Sequence, residues 1–142
     1  MKTFDVYNQF DVVPVKGKDV YVYDELNNKY LDLYGGHAVI SIGHSEKKYV
    51  KNITNQLKNI AFYSNAVQNP LQDKLSNEIN TQADLDNYKL FMCNSGAEAV
   101  ENALKLSSFY TRKKRIIAFK NSFHGRTSAA VAVTDNKYIN SE

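Results

Sequence analysis

The chain has 142 residues, the size of one domain and enough to bury a core, with 43% hydrophobic and 23% charged residues. Fifteen Lys and three Arg against fifteen acids leave a net charge of +3, too weak and dispersed for a nucleic-acid surface. The single cysteine, Cys93, excludes an internal disulfide, no apolar run approaches the roughly 18 residues of a membrane helix, and Met1–Val6 has no signal-peptide core. A cytoplasmic protein without nucleic-acid or membrane partners is therefore expected.

Residues 1–19 read as irregular, broken by Pro14 and Gly17. Val20–Asp24 and Lys29–Leu33 are strand-like runs joined by a hairpin loop at 25–28. Gly35-Gly36 ends the hairpin, and a loop is expected as far as Gly43. A helix should start near Ser45, with Tyr49, Val50, Ile53, Leu57 and Ile60 as its apolar stripe. After a connector at 62–68, Asn69 and Pro70 read as the N-cap and first residue of the next helix. Leu71, Leu75 and Ile79 form its stripe.

The apolar runs Tyr88–Met92 and Arg115–Phe119 read as buried strands flanking a helix at 96–110. Strand, helix and strand in that order suggest a parallel sheet covered on both faces. The basic run Arg112–Arg115 follows the helix, where it complements the dipole. Cys93, at the end of the first strand, reads as a small buried residue rather than a nucleophile. Ala129–Val133 begins a further strand or helix, and the final run, Tyr138–Glu142, supplies no evident closing element.

Chemistry concentrates after the two apolar runs. In Asn94-Ser95-Gly96-Ala97-Glu98, Ser95 is placed as an N-cap, and Glu98 three residues on completes a capping box. Gly96 clears space beside a helix N-terminus, whose N–H groups and dipole suit a phosphate. The glycine pattern matches neither the dinucleotide fingerprint nor the P-loop, so an anion site and a plain well-capped helix both stay open. The second cluster, Asn121-Ser122-Phe123-His124-Gly125-Arg126-Thr127, follows the second run. Ligands collect at such strand ends in α/β folds. Arg126 offers a fork for a carboxylate or phosphate, or a surface ion pair; Phe123 offers a flat face to a ring, or a core residue. His37, His44 and His124 match no familiar ligand spacing, and no metal site is expected.

These two clusters together resemble the class III aminotransferases, and within that family the acetylornithine aminotransferase branch. Tyr30–Val39, Gly43-His44 and Thr134-Asp135-Asn136 resemble the family as well, so the likeness runs over almost the whole chain. Glu46-Lys47 departs from the His-Pro common at that place, and a local stability effect is the expected result.

The resemblance implies an α/β fold, the N-terminal part of a fold type I enzyme dependent on pyridoxal 5′-phosphate. Residues 1–68 would be an N-terminal segment of hairpin, loop and helix, and 69–142 the incomplete beginning of the large cofactor-binding domain with its mostly parallel sheet. It implies that Gly96 and Ala97 hold the cofactor phosphate with Ser95 assisting, that Phe123 stacks on the pyridine ring, and that Arg126 takes the substrate carboxylate. The reaction implied moves an amino group between N-acetylornithine and 2-oxoglutarate, in arginine biosynthesis, in a homodimer. Ornithine, N-succinylornithine and 4-aminobutyrate are alternatives within the family. None of the fifteen lysines matches the context of the Schiff-base lysine, so the chain by itself is expected to be inactive. A non-catalytic remnant that keeps a phosphate-binding or interaction role is the alternative from another class.

Overall fold

The computed structural model describes residues 8–137. The chain divides between Gln68 and Asn69 into two compact units. Of the expected irregular stretch 1–19, only the part from residue 8 is described, and the reading of 138–142 lies outside the described residues.

The first unit holds an antiparallel sheet of three strands in the order β1 (Pro14–Lys18), β2 (Tyr21–Asp24), β3 (Lys29–Leu31). The hairpin β2–β3 is as expected, though shorter, with Tyr21 opposite Leu31 and Tyr23 opposite Lys29. Asp24 ties it: its carboxylate accepts the N–H groups of Leu26 and Asn28, the Asn28 side-chain amide and the Tyr30 hydroxyl. The Asn28 amide, ahead of the other partners, holds the Asp24 carboxyl below the usual carboxylate range. β1 corrects the irregular reading of 1–19. Proline is tolerated at the first residue of an edge strand, and Pro14 stands there, next to a bulge between Pro14 and Lys16.

The expected loop after Gly35 is instead a single helical turn, α1 (Gly35–Ala38), whose four residues all have φ near +60°. Two glycines adopt that region without penalty, whereas His37 and Ala38 do so at a cost. Asp32 holds the entry, its Oδ1 accepting from Tyr34 N (3.0 Å) and Gly35 N (2.7 Å). Its Oδ2 accepts from His44 Nε2 at 2.7 Å, and the His44 backbone bridges Asp19. This pair pins the far end of the loop to the sheet. The His44 hydrogen bond is the leading cause of a lowered Asp32 pKa.

Helix α2 (Lys47–Asn59) begins two residues after Ser45, near which its start is expected, because Glu46 is its cap. The Glu46 carboxylate accepts from Lys48 N and Tyr49 N, so the residue that departs from the family's His-Pro takes over the start. Ser45 has φ +57° and donates its hydroxyl to the Gly17 carbonyl.

The second unit holds α3 (Pro70–Ala83), α4 (Gly96–Thr111) and α5 (Ser128–Ala132). Asn69 caps α3 as expected, accepting from Leu71 N, with Pro70 at the first position. Ala129–Val133 resolves as the helical α5. The expected strands 88–92 and 115–119 are a correction: both runs lie outside helix and strand, and no parallel sheet forms among the described residues. A strand exists through its hydrogen-bonded neighbour, and neither run has one among the described residues; Ile117 is 91% and Phe119 85% exposed. Cys93 is likewise exposed rather than buried, since no sheet is there to cover it. Burial in this unit sits elsewhere, at Gly125, Ala130 (0%) and Thr134 (2%), where α5 and the loop before it meet α4.

Candidate functional site

The N-terminus of α4 is built as the capping box requires. Ser95 is extended, and its Oγ accepts the Glu98 N–H at 3.2 Å. Glu98 returns through Oε2, which accepts the Ser95 hydroxyl (2.8 Å) and the Asn94 N–H (3.1 Å). The Ser95 hydroxyl is the leading cause of a lowered Glu98 pKa. The hydroxyl proton of Ser95 is thereby committed to Glu98. The N–H groups of Gly96 and Ala97, at the first two helical positions, meet no acceptor among the described residues. A Cβ built on Gly96 would find nothing within 4 Å, so the space beside this turn is open.

The second cluster packs directly on that turn. Gly125 has φ +141°, and a Cβ added there would lie 2.8 Å from Ala97 Cβ and 2.9 Å from Ala130 Cβ. Only glycine lets the loop come this close. Thr134 braces it: Oγ1 accepts from His124 N (2.9 Å) and lies 2.8 Å from Ala130 O and 3.3 Å from Gly125 O. Asp135 adds a second brace, its Oδ2 accepting from Asn121 N and its N–H donating to Ser122 O.

From α4, Glu101 Oε1 accepts Ala129 N (2.8 Å) and Ala130 N (3.2 Å), closing the N-terminus of α5. Its carboxyl is held below the ordinary glutamate range, first by the Thr127 hydroxyl and then by these amides.

Ser95, Gly96 and Ala97 on one side and the Phe123–Arg126 loop on the other are therefore neighbours. Phe123 is 61% exposed, a ring presented to solvent rather than used as core, and Arg126 is exposed beside it. Glu101, Thr134 and Asp135 are the residues the sequence reading left without a role. Their bonds cross 28, 10 and 14 residues, and no local periodicity carries such a signal. Among the described residues no three His, Cys, Asp or Glu side chains gather as metal ligands, and no helix is long and apolar enough to cross a membrane.

The donor set suits a phosphate monoester with a planar ring attached. Two unaccepted N–H groups stand at a helix N-terminus, beside open space and an exposed aromatic face. Ser95 fits less directly, since its proton would first have to leave Glu98.

Comparison with known proteins shows the family of the chain. A family model described as aminotransferase class-III matches residues 4–142. The chain is 39% identical over 96% of its length to a [LysW]-aminoadipate semialdehyde/glutamate semialdehyde transaminase of Sulfurisphaera tokodaii. It is 38% identical over 96% to an acetylornithine aminotransferase of Lactococcus lactis. In both cases it spans 35% of the relative's length. Among solved structures, a taurine:2-oxoglutarate aminotransferase from Bifidobacterium kashiwanohense, in complex with PLP and glutamate, superposes with a TM-score of 0.85. That match has 25% identity and covers 96% of this chain and 31% of the other. The expected α/β fold class is borne out by this likeness.

Proposed function

This chain belongs to the class-III aminotransferase family, and from that premise we propose that it forms the phosphate-side wall of a pyridoxal-phosphate site in an amino-acid transaminase. The observation that carries the reading is the packing of Gly125 on Ala97, which sets an exposed Phe123 and Arg126 beside the open first turn of α4. In this reading the N–H groups of Gly96 and Ala97 hold the cofactor phosphate, and Phe123 fixes the ring by stacking on its face. Ser95 keeps the turn rigid through its bonds with Glu98 and joins the phosphate only if that bond opens. The bound cofactor supplies an electron sink for the amino-group transfer. Arg126 takes the substrate carboxylate through its planar fork and orients the amine toward the ring.

For the substrate we propose N-acetylornithine, with 2-oxoglutarate as acceptor, in a dimeric cytoplasmic enzyme of arginine biosynthesis. The resemblance in both clusters and the relative from Lactococcus lactis support this choice. The relative from Sulfurisphaera tokodaii, at similar identity, supports a second reading, a semialdehyde-forming transaminase that acts on another ω-amine. The chain spans about a third of these relatives, so the experiment uses the protein from its complete reading frame. Pyridoxal phosphate should bind with a new long-wavelength absorbance band, and N-acetylornithine should outcompete other ω-amino donors. Absence of binding by the purified protein would sink the cofactor reading. Equal turnover of all donors would remove the substrate assignment alone.

A further inference from the structure

The residue that joins the two halves of the site belongs to neither cluster. Glu101 lies on α4, and its half-buried carboxylate takes two donors from the segment after Arg126, the N–H groups of Ala129 and Ala130. Hydrogen bonds to an ionised acceptor are roughly twice as strong as neutral ones. The loop ahead of this anchor is braced by Thr134 and Asp135, which follow α5, and by the packing of Gly125 on Ala97; Glu101 ties the segment after the loop to α4. A fork anchored on the helix that carries Gly96 and Ala97 sets the distance between phosphate donors and ring face from a single rigid element.

We propose that Glu101 is a positioning residue, which holds the Phe123–Arg126 loop at the working distance from the first turn of α4. The role rests on the cofactor reading above, but its first test does not.

The test compares the complete protein with Glu101→Ala and Glu101→Gln, the latter keeping an acceptor oxygen. Backbone hydrogen exchange is measured without ligand, and pyridoxal-phosphate affinity by titration. In Glu101→Ala, exchange across 122–126 should rise on the order of tenfold while the middle of α4 stays unchanged, as expected for loss of a charged hydrogen-bond anchor. The Kd for pyridoxal phosphate should rise about tenfold, and Glu101→Gln should restore most of both. Faster exchange at Ala129 and Ala130 alone, with 122–126 and Kd as in the wild type, would overturn the proposal and leave Glu101 as a cap of α5. A wild-type protein that binds no pyridoxal phosphate overturns the cofactor reading instead, and the exchange at 122–126 then decides the role of Glu101. Should Glu101→Ala not fold, Glu101→Asp, which draws the carboxylate back from the N–H groups of Ala129 and Ala130, is judged by the same exchange readout.

Discussion

Two glycines in this site have opposite physical reasons for being glycine, and alanine at each separates structure from function. At Gly125 the added methyl would stand 2.8 Å from Ala97 Cβ, 2.9 Å from Ala130 Cβ and 3.2 Å from Ala97 Cα, where ordinary contact begins at 3.4 Å. None of these atoms is the far end of a flexible side chain, so the loop must lift from α4. Overpacking of this kind costs about 1–3 kcal/mol. The φ of +141° at Gly125 adds about 1–3 kcal/mol more for a residue with a side chain. Gly125→Ala should therefore lose about 2–6 kcal/mol in urea unfolding of the complete protein, a large part of a typical domain's stability. At Gly96 the methyl meets nothing within 4 Å, and alanine in a helix is favoured over glycine by up to about 1 kcal/mol. Gly96→Ala should unfold no earlier than the wild type. Its methyl does, however, enter the open space in which we propose the phosphate sits, and pyridoxal-phosphate binding should weaken about tenfold or more. An unchanged urea midpoint in Gly125→Ala would refute the packing argument. Wild-type affinity in Gly96→Ala would refute the placement of the phosphate on this turn.

Arg126→Ala should raise KM for carboxylate substrates about tenfold to a hundredfold with a smaller change in kcat, the loss expected for a charged hydrogen-bond partner; an unchanged KM removes Arg126 from the site. Ser95→Ala should cost about 1 kcal/mol of stability through the lost cap, read from the urea midpoint. His44→Ala should speed hydrogen exchange at 34–43, where Asp32 and the bridge to Asp19 hold the left-handed turn, and leave α4 unaffected. Asp32, Glu98 and Glu101 all have pKa values below their ordinary 3.8 or 4.5, so the unfolded chain takes up their protons first. Their stabilisation is complete above those ordinary values and is lost as pH falls through the lower folded ones. Urea midpoints should hold from pH 8 to 5 with respect to these groups and fall below about pH 4.5; a midpoint that rises on acidification from pH 5 to 3 would contradict this.

What could be read from the sequence is what a few neighbouring residues decide. The caps at Asn69 and Ser95 were legible because donor and acceptor lie within three residues of one another. The start of α2 near Ser45 was legible only approximately: the helix begins two residues on, where the Glu46 carboxylate caps it, and a long-range bond to Gly17 engages Ser45. β1 was hidden by Pro14 and Gly17, residues whose fitness for an edge strand depends on its neighbours. Gly17 faces the His44 side chain, and a Cβ there would lie 2.6 Å from His44 Cβ and 2.7 Å from the ring. The runs 88–92 and 115–119 carry strand composition, but composition names no partner, and none is present among the described residues. The two site clusters were recognisable as motifs; the residues that bind them together were not, because Glu101, Thr134 and Asp135 act across ten to twenty-eight residues.

The junction between the clusters also explains why its residues are small. Apolar area contributes little there: Ala97, Gly125 and Ala130 have almost no side chain to bury. Their value is distance, because a backbone can approach a helix N-terminus only where neither side carries bulk. Once the loop is that close, its own polar groups lose access to water and need partners. Thr134 and Glu101 supply them, one from beyond α5 and one from α4. Close approach and polar satisfaction are thus one requirement, and it is met by residues that recognise no ligand themselves. Enlarging Ala97 to Val should therefore act like Gly125→Ala, lifting the loop and weakening pyridoxal-phosphate binding, although the new side chain touches only protein. An Ala97→Val protein with wild-type stability and affinity would show that the loop is held by its hydrogen bonds alone.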